Sequence, residues 1–161
     1  MKRFITIIFC LLALFVSFCS CAKNYRQDLS PYELADYVEK ELPGTPLRVL
    51  DKQADFYGGK LSLEEISFAL RVAEDGSDLD EFGVFACSDE NSAKSFSKEL
   101  DTYLETLYQE NREWYLSYIP NEVPKLQNAE VKTFGRYVAY AILNENEGNR
   151  VFDLLRERLL Q

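Results

Sequence analysis

No histidine occurs among the 161 residues of this sequence. The chain therefore lacks the side chain that most often acts as a general base and most often binds transition metals. Positive charge is also scarce, because 18 lysines and arginines stand against 27 aspartates and glutamates and give a formal charge of -9 at pH 7. Nucleic acid and anionic lipid surfaces are themselves negative, so neither suits such a chain. The composition predicts no cofactor, no bound metal and no nucleic-acid partner.

Only one long apolar run is present, and it stands at the N-terminus. Lys2 and Arg3 precede residues 4–18, which are interrupted only by Thr6 and Ser17. A basic segment followed by an apolar segment of this length is typical of a secretory signal. A helix that crosses a bilayer needs about 20 apolar residues, so the run is short for a permanent span. The sequence predicts a cleaved signal peptide over residues 1–20.

The residues Phe18-Cys19-Ser20-Cys21 follow this run and resemble the lipobox that lipoprotein signal peptidase recognises. In that pattern Ser20 is the small residue before the cut, and the thiol of Cys21 becomes a thioether to diacylglycerol. Two or three acyl chains hold a protein on a bilayer, whereas one does not. The same residues are compatible with an ordinary signal cut near Ala22 and with an uncleaved anchor. We expect lipid attachment at Cys21, at the outer face of the cell membrane.

Cysteine is sparse in the rest of the chain. Cleavage would remove Cys10 and Cys19, lipidation would use Cys21, and Cys87 would remain as the one free thiol. No internal disulfide is then possible, so burial of apolar surface must stabilise the protein. Cys87 has no histidine partner and lies in an apolar segment, which favours a buried core cysteine over a reactive thiol. We expect residues 21–29 to be the anchor and tether and residues 30–161 to form one domain.

Three stretches have the apolar period of amphipathic helices. The first begins at the capping box Ser30-Pro31-Tyr32-Glu33 and ends before Pro43-Gly44. The second is predicted from residue 89 to about residue 117, and the third over residues 149–160. A short helix with Pro124 in its first turn is predicted after the second. The predicted inward-facing stripe of the long helix consists of Ala93, Phe96, Leu100, Tyr103, Leu107 and Trp114.

Four segments have the pattern of β-strands. Apolar residues alternate over residues 66–73, which predicts a strand buried on one face, and residues 82–87 form a second apolar segment. Residues 131–134 and 137–143 flank the turn Gly135-Arg136. Residues 47–59 are predicted as a connector, in which one helical turn before Gly58-Gly59 is left open. The order α-β-β-α-β-β-α predicts an α+β fold, in which a long helix and shorter helices pack on a four-stranded antiparallel sheet.

Three stretches of the sequence support a resemblance to a known family. They are DEFGVFACSDENSAKSF, the end of the long helix at YIPNEVPKLQNA, and EVKTFGRYVAYAIL. In this order and spacing they resemble bacterial lipoprotein domains of an uncharacterised family, domain of unknown function 4358, over about residues 51–160. The resemblance implies the same lipoprotein context and supplies no activity, ligand or catalytic residue.

Two groups of polar residues are candidates for a catalytic site or a metal-binding site. Ser95 and Lys98 form an S-x-x-K pattern, as in penicillin-recognising acyl-transfer enzymes, but the S-D-N and K-T-G partners of that pattern are absent. Two polar residues on a solvated helix face are therefore the preferred interpretation. The loop before the second strand holds five carboxylates, whose spacing does not match a calcium-binding loop. These carboxylates belong to Glu74, Asp75, Asp78, Asp80 and Glu81.

Aromatic residues gather near the end of the long helix. Tyr108 and Tyr115 lie on the flank of this helix. Their spacing favours packing at the edge of the core, and a surface that binds a partner or a glycan is the alternative.

The sequence as a whole predicts a membrane-anchored extracytoplasmic lipoprotein whose domain is a non-catalytic binding or interaction module for an unknown protein or envelope component. The alternative is a cell-envelope enzyme that uses carboxylates or Ser95 with Lys98.

Overall fold

A computed structural model describes residues 24–42, 46–50 and 56–160. The predicted signal peptide and Cys21 lie outside these residues. The elements in chain order are helix α1 (Pro31–Glu41), strands β1 (Leu47–Val49), β2 (Ser67–Ala73) and β3 (Glu81–Ala86), helices α2 (Glu90–Tyr118) and α3 (Val123–Gln127), strands β4 (Glu130–Phe134) and β5 (Tyr137–Ile142), and helix α4 (Glu145–Leu160).

The five strands form one antiparallel sheet in the order β1-β2-β3-β5-β4. The antiparallel sheet and its four predicted strands are confirmed. The prediction that residues 47–59 form a connector is wrong at its start, because Leu47 pairs with Ala73 and adds β1 at the edge of the sheet. Three residues are too few to show the alternation by which a strand is recognised. Only the pairing with β2 defines β1.

Helices cover both faces of the sheet. On β3, Phe82 and Val84 point to the face covered by α1 and α4, whereas Phe85 points to the face covered by α2 and α3. The prediction that the strand over residues 66–73 is buried on one face only is wrong, since every residue from Ala69 to Ala73 is buried. A sheet enclosed on both sides gives strands that read as nearly continuous apolar runs, as β3 and β5 do.

Side-chain caps explain where the helices begin. The predicted capping box is confirmed, because the Ser30 hydroxyl accepts from the Glu33 backbone N–H and Glu33 accepts from the Ser30 N–H. Helix α4 begins one turn before the predicted residue 149. There the Asn144 side chain accepts from the Glu147 N–H, which starts the helix ahead of its first apolar residue. No helix in the described part of the chain has the length and hydrophobicity to cross a membrane.

The segment that precedes α1 lies across one end of the sheet. The ring of Tyr25 meets the ring of Phe134 edge-on at 5.7 Å, and the Arg26 N–H donates to the Leu159 carbonyl at 2.9 Å. The segment therefore contacts both the β4–β5 turn and the C-terminal end of α4. We call this end of the molecule, formed by residues 24–29, the β4–β5 turn and the end of α4, the proximal end.

Helix α2 starts at the proximal end and leads away from it. The Cys87 N–H, just before α2, donates to the carbonyl of Arg136 in the β4–β5 turn. The 29 residues of α2 span about 43 Å, whereas a six-residue strand spans about 20 Å. The helix therefore outruns the sheet. We call the opposite end, with the β2–β3 loop, the end of α2, α3 and the start of α4, the distal end.

Candidate functional site

The most exposed aromatic side chains near the distal end lie in the last turns of α2. Trp114 is 52% exposed and Tyr118 is 72% exposed, and their ring centroids are 5.4 Å apart at an interplanar angle of 30°. Leu116 is 43% exposed on another face of the helix. We call Trp114 and Tyr118 the aromatic tip. Exposed apolar side chains that lie together indicate an interaction surface more than scattered ones do.

The prediction that Trp114 belongs to the core is wrong. At 3.6 residues per turn, Trp114 and Tyr118 lie five turns after the buried residues Phe96 and Leu100 and face the same way. At that point α2 has passed the sheet, so these rings are left in solvent. Tyr115 is only 8% exposed and belongs to the buried cluster that includes residues of α3.

Packing is confirmed as the role of the flanking tyrosines. Tyr115 is buried, and burial raises the pKa of its hydroxyl. Tyr108 is half-buried, and its hydroxyl accepts from the Gln127 side chain at 2.9 Å. The exposed aromatic surface of α2 is therefore formed by Trp114 and Tyr118 and not by Tyr108 or Tyr115.

A lysine lies inside a group of three carboxylates at the distal end. The ammonium of Lys125 is 2.7 Å from Asp78, 2.5 Å from Asp80 and 2.8 Å from Glu122. Burial raises the pKa of Asp80, while the bonds from Lys125 act in the opposite direction. Burial alone would lower the pKa of Lys125, but the three carboxylates raise it. This lysine neutralises part of the charge of the predicted acidic loop and links that loop to α3.

These carboxylates have the geometry of a possible cation site, since their ligand atoms lie within 4.8 Å of one another. The ammonium of Lys125 is the cation that contacts them in the structure. Of the predicted loop residues, Asp78 and Asp80 take part, whereas Asp75 bonds to Ser77. Sequence reasoning missed Glu122 and Lys125, because more than 40 residues separate them from the loop.

Two tyrosines and a glutamate form a chain of hydrogen bonds beneath α2. Tyr140 donates to the Glu81 carboxylate at 2.6 Å, and the hydroxyls of Tyr140 and Tyr57 are 3.0 Å apart. Burial raises the pKa of Glu81 to about 7, although the Tyr140 bond opposes this shift. Gly83 makes room for the ring, since a Cβ there would lie 2.5 Å from Cε1 of Tyr140. The chain of bonds joins β3, β5 and the segment around Tyr57.

The structure separates Ser95 and Lys98 from this network. Both side chains are exposed, on the side of α2 opposite the buried Phe96 and Leu100. Cys87 is 1% exposed, and burial raises the pKa of its thiol, so its predicted place in the core is confirmed. Neither the Ser–Lys pair nor the thiol meets a second reactive group among the described residues.

A cleft of about 240 Å³ opens at the distal end, between α3 and the start of α4. Carboxamides and carboxylates line it, and its apolar floor includes Phe152. The polar lining residues are Gln127, Asn128, Asn144, Asn149, Glu130 and Glu145. Neither Ser95 nor Lys98 contributes to it. The cleft therefore adds acidic and neutral polar groups to the distal end.

Comparison with models of protein families identifies a family that matches this chain. The family model described as domain of unknown function (DUF4358) matches residues 52–143. The chain belongs to this family. The DUF4358 match includes β2 to β5, the aromatic tip, Lys125 and the Glu81 network, whereas α1, β1 and α4 lie outside it. No curated protein and no solved structure matches the chain. The expected family is confirmed, and its description assigns no activity.

Proposed function

We propose that the protein is a lipoprotein anchored at the outer face of the cell membrane through Cys21. In this proposal its DUF4358 domain is a non-catalytic binding or interaction module. The sequence supports the anchor by its order: two basic residues, an apolar run, a small residue and then Cys21. The structure supports the proposal by the separation between the proximal end and the aromatic tip.

The observation that carries the proposal is that the aromatic tip and the segment nearest to Cys21 lie at opposite ends of the molecule. Tyr25 packs on the proximal end, and only four residue steps separate it from Cys21. Four steps of chain span at most about 14 Å. An anchor at Cys21 would therefore keep the proximal end at the bilayer, while the aromatic tip at the other end of α2 would face away from it.

The arrangement of the polar groups supports a module more than an enzyme. Ser95 and Lys98 are exposed on a convex helix face, and the hydroxyl of Ser97 donates to a backbone carbonyl of the same helix. The carboxyl group with a pKa near 7, that of Glu81, is bonded to a buried tyrosine. A surface of exposed aromatic rings suits recognition of a partner.

Substitution of the predicted lipidation site tests the anchor. Cys21→Ser should release the protein from the membrane fraction or leave an unprocessed precursor, whereas Cys19→Ser, the matched control, should do neither. Mass spectrometry of the mature N-terminus identifies the modified residue directly. A diacylglyceryl group on another residue, or an unmodified N-terminus at Ala22, would overturn the proposal.

A further inference from the structure

The rings of Trp114 and Tyr118 lie together in solvent, with their centroids 5.4 Å apart, and Trp114 also meets the buried Tyr115 edge-on at 5.5 Å. Trp114 and Tyr118 are one helical turn apart, and their planes are inclined by only 30°. The face of an aromatic ring attracts cations, and tryptophan does so most strongly. A planar guanidinium group stacks on such a face particularly well. The geometry of these two rings therefore suits an arginine or lysine side chain of a partner.

The surroundings of the tip are negative. The last turn of α2 contains no basic residue, and the C-terminal end of a helix carries a partial negative charge. Glu113 is exposed beside Trp114, and Glu110, one turn earlier, is paired with Lys60. Arg112 is the one basic residue of the sequence between Glu105 and Glu122.

The rest of the distal end has the same sign. Register places Glu130 and Glu81 at this edge of the sheet, and Glu145 opens α4 beside them. Lys125 and Lys132 lie among these groups, and each is paired with nearby carboxylates: Lys125 with Asp78, Asp80 and Glu122, and Lys132 with Glu130. Glu81 accepts a hydrogen bond from the buried Tyr140. The carboxylates of the distal end that have no ion pair among the described residues belong to Glu74, Asp75 and Glu145.

We propose that the aromatic tip binds a basic polypeptide segment, whose arginine or lysine side chains stack on Trp114 and Tyr118. Glu113 and those carboxylates of the distal end that have no ion pair among the described residues attract the segment to the rings. The inference rests on the proposed function, because an anchor at Cys21 leaves the tip accessible from outside the membrane. A second copy of this chain, with its charge of -9, and an anionic bilayer are both repelled by the same carboxylates.

The sequence provides its own probe, because Trp114 is its single tryptophan. We would titrate the full-length protein, in uncharged detergent micelles, with a short oligo-arginine peptide that contains no aromatic residue. The emission of Trp114 should change saturably, and its quenching by acrylamide should decrease. The apparent affinity should fall as salt is added, because ions screen the attraction between exposed charges. An oligo-glutamate peptide of the same length should cause no change.

Two substitutions assign the binding to the tip. Tyr118→Ala should weaken oligo-arginine binding about two- to fivefold, the value of one exposed cation–π contact. Glu113→Gln should weaken it at low salt and have little effect at high salt. The matched controls are Tyr32→Ala, which removes an exposed tyrosine of α1, and Glu90→Gln at the other end of α2; both should bind as the wild type does. Since Tyr118 is exposed, its removal should leave the thermal midpoint unchanged.

The possible results separate this inference from the anchor. An absent response to oligo-arginine, or an equal response in all four variants, overturns the inference. A response of Trp114 to an N-acetylglucosamine oligosaccharide instead of the peptide also overturns it, while the binding module is retained. A response to uncharged phospholipid vesicles instead makes the tip a membrane contact and overturns the proposed orientation as well. Oligo-arginine binding that depends on Tyr118 supports the inference even if Cys21 proves to be unmodified.

Discussion

The carboxyl group of Glu81 should make the stability of this domain depend on pH in an unusual direction. Glu81 is the first residue of β3 and accepts a hydrogen bond from the buried Tyr140 at 2.6 Å. Burial raises its pKa from 4.5 to about 7. Below pH 4.5 the group is protonated in both the folded and the unfolded chain, and its full contribution to stability is present. As the pH rises through 7, the folded protein must ionise a buried carboxyl group, and this contribution is lost.

The size of the effect follows from the shift. A difference of about 2.5 pKa units corresponds to roughly 3 kcal/mol, at 1.36 kcal/mol for each unit. Glu81→Gln keeps an oxygen that accepts from Tyr140 and cannot ionise. The variant should therefore be more stable than the wild type by up to about 3 kcal/mol above pH 7. Below pH 4.5 this advantage should disappear.

Urea unfolding of both proteins at a series of pH values measures this difference in the free energy of unfolding. The same substitution at the exposed Glu90 is the matched control and should not reproduce the gain. Tyr140→Phe removes the donor that favours the ionised form, so it should move the pH at which stability is lost upward. A difference between the wild type and Glu81→Gln that stays constant from pH 4.5 to above pH 7 would refute the argument.

Two further predictions concern the core and the distal carboxylates. Cys87→Ala should cost about 1 kcal/mol by leaving a small cavity, and a thiol reagent should label native Cys87 only as fast as the protein opens; rapid labelling would contradict its burial. Lys125→Met should cost about 2 kcal/mol, because three partly buried carboxylates lose their cation. Calcium should raise the thermal midpoint of that variant and leave the wild-type midpoint at its value in EDTA; a shift in the wild type would show that calcium displaces Lys125.

Local patterns in the sequence were sufficient to predict most of the secondary structure. The capping box at Ser30 and the apolar period of α2 depend on neighbours within a few residues, and so does the turn at Gly135. Such signals survive in the sequence because they arise from backbone sterics and from hydrogen bonds between nearby groups. The family could be predicted for a similar reason, because short motifs, their order and their spacing can be read directly from the sequence.

The tertiary structure decided which apolar residues are covered. Trp114 and Phe96 have the same phase on α2, yet Phe96 packs against Phe85 of β3 while Trp114 lies beyond the sheet. Periodicity reports the direction of a side chain and not the presence of a neighbour on that side. For the same reason the sequence did not reveal that β2 is buried on both faces, which required helices from distant parts of the chain.

The polar part of the candidate site was also decided by long-range contacts. Lys125 meets Asp78 and Asp80 across more than 40 residues, and Tyr140 meets Glu81 across 59. The sequence by itself determined the carboxylates of the loop, the absence of histidine and the large excess of negative charge. Folding determined which carboxylates are neutralised by a lysine and which remain free to attract a partner. It also determined which carboxyl group lies beside a tyrosine and has a raised pKa. These outcomes depend on burial and on distance in space, and neither quantity exists before the sheet is assembled.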